Sequence, residues 1–453
     1  MAAIVTDTHR KLLTDFLLSE IATSADSNQY YIGIGKSDVW NSTDTLINPL
    51  RSAKEERDHR NNLQSVKKVE ASSFVIPRYN WSSGSIFSSW TDDSIGIPTN
   101  SYYVMTDINE VFICIKQAKN SLGVAQTSTV KPAVPAGKNI YAPFELSDGY
   151  VWKFLYGLSA GTANSFLSAN FIPIQKITNP TNAFQTDQKS VQDNAISGQI
   201  IGIELDSNGA GYGSTVPSVT IRGNGSSAAA TATLNNGQVV KVEMDNESAG
   251  LGSGYDFAEI IFDGSPSKPA KARAIIGPKL GLGNDARSDL KASSIMLNIK
   301  PDGTVSDTFI VGNSFRQISL FKGLREKDSS AAGTIFSGTS SRTQRYMRAQ
   351  SVSDASSITA GREITDGSTP KIRAYVDQID SDFIYYHQND SSGFGVFANS
   401  ATISDGINSI TIDSGNAKSL VDPYSGDLLY VENRAKILRD TSQQEDIKVI
   451  ITV

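Results

Sequence analysis

Apolar residues return at a helical interval near the start of the chain. After Asp7, which can cap a helix, large aliphatic and aromatic side chains recur every three or four residues, the 3.6-residue spacing of an amphipathic helix. We expect this face to pack on the first sheet of the fold. Its members are Leu12, Leu13, Phe16, Leu17 and Ile21.

Short apolar runs bounded by turn residues follow the predicted helix. This pattern is typical of antiparallel β-strands, with turns at sites such as Ser83-Gly84 and Asp148-Gly149. It predicts a β-rich first region with an N-terminal helix, residues 1–185. The runs occupy residues 73–76, 102–105, 111–115 and 150–155.

One sequence pattern occurs twice in the middle of the chain. Residues 198–206 read GQIIGIELD and residues 237–245 read GQVVKVEMD, and each copy leads to a glycine-rich turn that ends in Tyr212 or Tyr255. Period-two segments lie between the copies, and Asn236-Gly237 is a hairpin signal. We therefore predict an inserted all-β domain of two related halves at residues 190–275.

The rest of the chain also alternates between apolar and polar residues at strand spacing. Residues 285–330 are predicted to return to the core, residues 335–425 to form a second β insertion, and residues 426–453 to supply C-terminal strands that complete the core. The predicted fold is mainly β with minor helices, a multi-domain β-sandwich-like core with inserted all-β domains. Fewer than about a third of the residues are expected to be helical.

Composition narrows the functional classes. The 453 residues carry 41 Lys and Arg against 47 Asp and Glu, a formal charge of -6, so we expect no nucleic acid partner. No apolar stretch approaches about 18 residues, so no membrane insertion is expected. Acidic residues near the start argue against a signal peptide. The single cysteine, Cys114, lies in an apolar run and predicts a buried side chain in a reducing compartment.

The sequence contains few residues that could form a catalytic or metal site. His9, His59 and His387 are far apart and lack partners at metal-ligand spacing, so we expect no metal, no cofactor and no enzymatic activity. His9 and His59 are expected to be solvated. The segment Gly33-Ile-Gly-Lys-Ser resembles the end of a phosphate-binding loop, but Tyr30 stands where the motif requires glycine.

Tryptophan and arginine residues are the main structural candidates. The four tryptophans lie within the first 152 residues beside turns, which favours core anchors at strand ends over hot spots of a protein interface. Three arginines adjoin apolar strand residues, where a guanidinium group requires a carboxylate or carbonyl partner. These residues are Trp40, Trp81, Trp90 and Trp152, and Arg78, Arg316 and Arg434.

Six short blocks, in the same order along the chain, together resemble the baseplate wedge subunit known as gene product eight of T-even-type contractile-tailed bacteriophages. The added length resembles a longer, cyanophage-like member. The chain lacks the several cysteines of the shorter member, and Ala435-Lys436 replaces a proline pair. The blocks are YIGIGKSDVW at 31–40, FVIPRYNW at 74–81, SDGYVWKFL at 147–155, SFRQIS at 314–319, GDLLYVENR at 426–434 and TSQQEDIKVIITV at 441–453.

The resemblance implies a structural role. Such a subunit is a homodimer within each of six wedges of the tail baseplate, contacts neighbouring wedge proteins, and relays the rearrangement that triggers sheath contraction. It would be assembled in the host cytoplasm and carried in the virion. The residues we expect to act in core and inter-strand pairing first, and in interfaces second, are Trp40, Arg78, Trp81, Asp148, Trp152, Arg316, Glu432, Asn433 and Arg434.

Two other classes of function stay open on the sequence. A receptor-binding or fibre-like tail adhesin would be a trimer with heptads or fibre repeats, and the sequence contains no such stretch. A tail-associated glycan hydrolase would need two carboxyl groups about 5–9.5 Å apart in one cleft. No spacing of acidic residues along the chain nominates such a pair.

Overall fold

The computed structural model describes residues 4–22, 29–40, 46–245, 250–301, 309–327, 332–417, 419–440 and 443–453. Strands account for 40% of the residues and helices for 12%, in several antiparallel sheets, which confirms the predicted mainly β class. No helix in these ranges is long and apolar enough to cross a membrane.

Among the described residues, the first part of the chain supplies four helices and eight strands. In order they are α1 (Asp7–Ala22), β1 (Tyr30–Gly35), α2 (Ala53–Asn62), β2 (Leu63–Lys68), β3 (Ala71–Pro77), β4 (Tyr103–Met105), β5 (Glu110–Lys116), β6 (Phe144–Glu145), β7 (Val151–Gly157), α3 (Ala160–Phe166), β8 (Phe171–Ile174) and α4 (Ala183–Asp193).

The middle of the chain contains the repeated sequence pattern and is almost entirely β. Its elements are β9 (Ile200–Ser207), β10 (Val219–Gly223), β11 (Ser226–Ala228), β12 (Ala230–Asn235), β13 (Gln238–Met244), β14 (Leu251–Ser253), β15 (Ala258–Phe262), β16 (Lys271–Ile276) and the single turn of helix α5 (Ala286–Asp289).

The last part of the chain returns to longer strands. Its elements are β17 (Ser294–Ile299), β18 (Ser314–Lys322), β19 (Arg325–Glu326), β20 (Ser340–Arg342), β21 (Arg345–Ala349), α6 (Val352–Ala355), β22 (Glu363–Asp366), β23 (Arg373–Asp380), β24 (Phe383–His387), β25 (Thr402–Ser404), β26 (Ser409–Ala417), β27 (Val421–Asp422), β28 (Asp427–Leu438) and β29 (Ile447–Thr452).

The chain forms two compact units. Unit 1 comprises Met1–Asp15, Ser73–Met296 and Ile451–Val453, and unit 2 comprises Phe16–Ser72 and Leu297–Ile450. Each unit therefore collects segments from distant parts of the sequence. The five-segment division at the sequence level stays a prediction.

Unit 1 contains an antiparallel sheet in the order β4-β5-β7-β6. Its strands alternate large apolar side chains on the face that forms the core, which includes Phe112, Phe144, Trp152 and Phe154. Helix α4 packs on β7, and the Asn182 side chain caps that helix by accepting a hydrogen bond from the Gln185 amide. The sheet is therefore held by a continuous aromatic core.

The repeated pattern in unit 1 builds a second set of sheets. Strands β10-β15-β16-β9 form one antiparallel sheet, and β12 and β13 form a separate hairpin. Asn236 and Gly237 both have positive φ, at 51° and 71°, so the predicted Asn-Gly hairpin turn is present. Tyr212 and Tyr255, which end the two glycine-rich turns, are buried in two small apolar clusters.

Unit 2 contains a five-stranded antiparallel sheet in the order β20-β2-β1-β18-β28. Glycine is required at the end of β1 because a Cβ atom at Gly35 would lie 2.6 Å from the backbone carbonyl oxygen of Asn62. Six further strands close a barrel in the order β21-β24-β23-β22-β25-β26, around a core that includes Ile364, Val376 and Ile384. The barrel lies within the segment predicted as a second β insertion.

The predicted packing of α1 is wrong for most of its apolar face: Ile21 is buried, but Leu12, Leu13 and Phe16 are exposed. Leu12 and Phe16 are 64% and 66% exposed, whereas Thr14 is buried. The helix is oriented instead by charged residues, since Lys11 lies 3.5 Å from Asp285 and other ion pairs anchor the same side. Its start is also capped differently, because Thr6 Oγ1 accepts a hydrogen bond from the backbone of the first turn.

Candidate functional site

Two of the predicted residues in unit 1, Trp81 and Asp148, meet through a third residue. Trp81 Nε1 donates to Ser128 Oγ at 3.1 Å, and Ser128 Oγ donates to Asp148 Oδ2 at 3.0 Å. The same carboxylate oxygen accepts from the backbone amides of Thr129 and Val130 at 2.8 and 3.0 Å. We call Trp81, Ser128 and Asp148 the Asp148 clamp, which fixes a loop to the aromatic core.

Trp152 is fully buried at the centre of β7. Its ring lies 5.6 Å from that of Phe87, edge to face, and 5.8 Å from the stacked ring of Tyr150. Cys114 is its cross-strand neighbour, and burial raises the pKa of that thiol well above its usual value. This site is therefore a packed core in which the thiolate is disfavoured.

Arg78 joins the end of β3 to the loop before β8. Its Nε donates to Asn80 Oδ1 at 2.9 Å, and its Nη1 donates to the backbone carbonyl of Ser168 at 2.9 Å. The guanidinium group is thus shared between an amide oxygen and a carbonyl. This arrangement pairs the arginine within its own unit.

In unit 2, three of the predicted residues gather at the edge strand β28. Trp40 Nε1 donates to the Arg434 carbonyl at 3.4 Å, and Arg434 Nε lies 3.3 Å from Glu432 Oε1. The Lys36 ammonium group sits 4.9 Å from the centre of the Trp40 ring. We call Trp40, Glu432 and Arg434 the edge group. Its charged side chains are partly solvated, so their ion pair contributes little to stability.

Asn433, between two members of the edge group, points instead into a buried polar chain. Its Oδ1 accepts from Gln317 Nε2 at 3.0 Å, and Gln317 Oε1 lies 3.1 Å from His59 Nδ1. Its amide nitrogen donates to the Ile47 carbonyl at 2.8 Å. We call His59, Gln317 and Asn433 the His59 chain. Because Gln317 Oε1 can only accept, His59 Nδ1 carries the proton.

The expectation that His59 is solvated is wrong. The ring is fully buried in the last turn of α2 and stacks on Phe321 with 5.9 Å between ring centres. Burial lowers the pKa of the His59 imidazole to about 4, against a smaller opposing effect of the hydrogen bond to Gln317. Its charged neighbours Arg57, Asp58 and Arg60 suggested a solvated segment, but the last turn of α2 is buried although it is polar, and Arg60 is buried beside His59.

Arg316 is buried in β18, next to Gln317 in sequence. Its Nη1 donates to the backbone carbonyl of Ser37 and, at 3.2 Å, to Ser314 Oγ. The hydrogen-bond partners of the Arg316 guanidinium group are thus a carbonyl and a hydroxyl oxygen. The sequence analysis predicted a carboxylate or carbonyl partner for this arginine.

A buried Asp377–His387 pair was missed at the sequence level. Asp377 Oδ2 lies 2.8 Å from His387 Nδ1, and Asp377 Oδ1 accepts from Gln64 Nε2 at 2.9 Å. Burial disfavours the imidazolium form, but the Asp377 carboxylate outweighs it and the pKa of His387 is raised. The signal was available, because the β23–β24 hairpin sets Tyr375 opposite His387, and Asp377 is two residues away.

Two further buried ionisable residues that the sequence analysis missed, Lys153 and Asp289, act on each other electrostatically in unit 1. Burial lowers the pKa of Lys153 to about 8, and burial raises the pKa of Asp289 to about 7. Asp289 Oδ2 also accepts from the Gly283 amide at 2.7 Å. Lys153 lies among the apolar residues of β7. A single lysine in such a run is usually interpreted as a residue on the solvated face of the strand, so its burial was not predicted.

These groups join strands and loops within each unit. Within the part of the chain that the structure describes, no three His, Cys, Asp or Glu side chains are grouped so that they could hold a metal ion. Seven of the nine predicted residues belong to the Asp148 clamp, the Trp152 core, the edge group and the His59 chain, whereas Arg78 and Arg316 are paired separately. No family model and no curated protein matches the chain.

Proposed function

We propose that this protein is a structural subunit of a contractile-tail baseplate wedge. It links neighbouring wedge proteins, acts as a homodimer and relays the rearrangement that triggers sheath contraction. It is carried in the virion after assembly in the host cytoplasm, and it works as a stoichiometric component without catalysis.

The observation that carries the proposal is the ordered set of six sequence blocks. They coincide with β1, the end of β3, β7, β18, β28 and β29, which are strands of the main sheets. Strands β9–β16 and the barrel lie outside the blocks. Residues 441 and 442 of the last block lie outside the described residues. A common scaffold with added β domains accounts for this distribution.

The contacts of the predicted residues support a relay role. Glu432 and Arg434 of the edge group lie on the edge strand β28, where solvated side chains are available to another subunit, and Asn433 connects the same strand to the buried His59 chain. A contact made at β28 would therefore act on groups inside the sheet. Interfaces that relay a rearrangement need such a connection between the surface and a packed interior.

The proposal is tested by the mass of the purified chain, measured by light scattering at several concentrations. We expect a stable species of twice the 48.7 kDa of one chain. A species of three times that mass would contradict the proposal and favour a trimeric adhesin. A monomer at every concentration would contradict the homodimer in the proposal.

A further inference from the structure

One buried histidine lies between the barrel of unit 2 and the segment that follows β1. His387, on β24, is 4% exposed, and its Nδ1 lies 2.8 Å from Asp377 Oδ2. On the other side of the ring, His387 Nε2 lies 3.9 Å from Asp38 Oδ1. The imidazole ring therefore stands between a carboxylate of the barrel and a carboxylate of the segment after β1.

The two atoms that face each other at 3.9 Å lack partners. His387 Nε2 and Asp38 Oδ1 are both buried, and neither has a hydrogen-bond partner among the described residues. Because an ionised carboxylate only accepts, Asp377 fixes one ring proton on Nδ1. Without a second proton, Nε2 is an acceptor that faces another acceptor. With a second proton, Nε2 becomes a donor directed at Asp38.

The charged groups around the ring favour the second proton. Burial opposes the imidazolium form, but the Asp377 and Asp38 carboxylates outweigh both burial and the repulsion from Lys36, so the pKa of His387 is raised. The Tyr375 ring stacks on the imidazole with 5.5 Å between ring centres. Burial raises the pKa of the Tyr375 hydroxyl, so this residue adds no charge where the histidine titrates.

A series of contacts leads from Asp38 to the edge group. Asp38 Oδ2 lies 2.9 Å from Lys36 Nζ, and this ammonium group lies 4.9 Å from the centre of the Trp40 ring. Trp40 Nε1 in turn donates to the Arg434 carbonyl on β28 at 3.4 Å. A change in the position of Asp38 therefore acts on the contact between Trp40 and the edge strand.

We propose that His387 is a proton-operated latch for residues 36–40. With both ring nitrogens protonated, His387 binds Asp38 as well as Asp377, and Trp40 stays docked on β28. Transfer of the Nε2 proton to water leaves two acceptors that repel each other, and Trp40 is released from the Arg434 carbonyl. The latch is argued within one chain. Only its consequence, a pH-dependent contact of β28 with another subunit, rests on the proposed wedge function.

The test follows His387 and Trp40 by NMR in the same sample of the full chain. Isotope-labelled histidine and fluorinated tryptophan give few signals, since the chain has three histidines and four tryptophans, and His387→Gln and Trp40→Phe assign the two that are needed. The chain is titrated from pH 6.5, the ordinary pKa of histidine, upward. We expect the Trp40 signal to move at the midpoint of the His387 titration. A Trp40 signal that stays constant across that midpoint would overturn the proposal.

Asp38→Asn separates the latch from a purely structural role. The amide keeps the size of the side chain and can donate to a neutral Nε2. His387 should then titrate at lower pH, because one carboxylate partner is lost, and the Trp40 response should disappear. Asp390→Asn removes an exposed carboxylate paired with Lys54 and is the matched control, which should behave like the unmodified chain. A Trp40 response that persists in Asp38→Asn, or an unchanged His387 midpoint, would contradict the latch.

Discussion

The sheet around Trp152 in unit 1 and the sheet around His59 in unit 2 are stabilised in different ways. The first has an aromatic core, and hydrogen bonds such as those of the Asp148 clamp lie at its margin. The second buries the His59 chain between its helix and its strands. The stability of an apolar core depends on how well its side chains fill the available volume. The stability of a buried polar chain depends on the presence of every hydrogen-bond partner and on the protonation state of each group.

The largest effect is expected from Trp152→Ala. Removal of the buried indole leaves a cavity in the aromatic core and should lower the free energy of unfolding by about 3–5 kcal/mol. Circular dichroism in increasing urea measures this change. Trp40→Ala, in the partly solvated edge group, is the control and should cost far less. A Trp152→Ala chain that folds normally but fails to assemble would assign this tryptophan to an interface.

The His59 chain should make unit 2 sensitive to acid. The pKa of His59 is lowered to about 4, so between pH 6.5 and 4 the unfolded imidazole binds a proton that the folded one does not. The free energy of unfolding should therefore fall by about 3 kcal/mol over this interval and level off below it. Urea unfolding at several pH values measures the slope, which should disappear in His59→Asn.

His387 provides a control of the opposite sign. Its pKa is raised by Asp377, so its contribution to stability is present below the unfolded value of 6.5 and is lost as the pH rises through the folded pKa. His387→Asn should therefore change how the free energy of unfolding depends on pH only on the alkaline side. Identical pH profiles for the two variants would contradict the assignment of these two environments.

A smaller effect is expected at the margin of the aromatic core. Asp148→Ala removes the acceptor of the Thr129 and Val130 amides and should cost about 2 kcal/mol, the usual contribution of charge-assisted hydrogen bonds. Hydrogen exchange at those two amides should become faster, while Trp152 stays buried. Asp148→Asn keeps a carbonyl acceptor and should lower the free energy of unfolding by less than Asp148→Ala does. Unchanged exchange in Asp148→Ala would contradict the clamp.

The smallest effect is expected in the edge group. Arg434→Ala breaks an exposed ion pair with Glu432 and should change the free energy of unfolding by no more than about 1 kcal/mol. If the group contacts another subunit, the same substitution should nevertheless reduce dimerisation in light scattering. A large loss of stability would show that Arg434 belongs to the interior of its sheet.

The fold could be predicted where side-chain chemistry and burial agree. Alternating apolar residues located the strands of both units, and Asn236-Gly237 located a hairpin, because local rules decide both features. The type of partner that Arg316 has could also be predicted, since a guanidinium group beside apolar residues requires oxygen atoms as hydrogen-bond acceptors.

Prediction failed where tertiary contacts override polarity. His59 and Asp377 belong to residue types that are usually exposed, and their burial depends on partners far away in the sequence. The exposed face of α1 has a similar cause, because ion pairs formed by Lys11 and Asp15 orient the helix against its apolar pattern.

The most direct test of the wedge proposal is electron cryomicroscopy of contractile-tailed virions that contain this chain. The account predicts density for the chain in the baseplate, as a dimer in each of the wedges and in contact with neighbouring wedge proteins. Density as trimers at the tips of tail fibres, or absence of the chain from the baseplate, would contradict it.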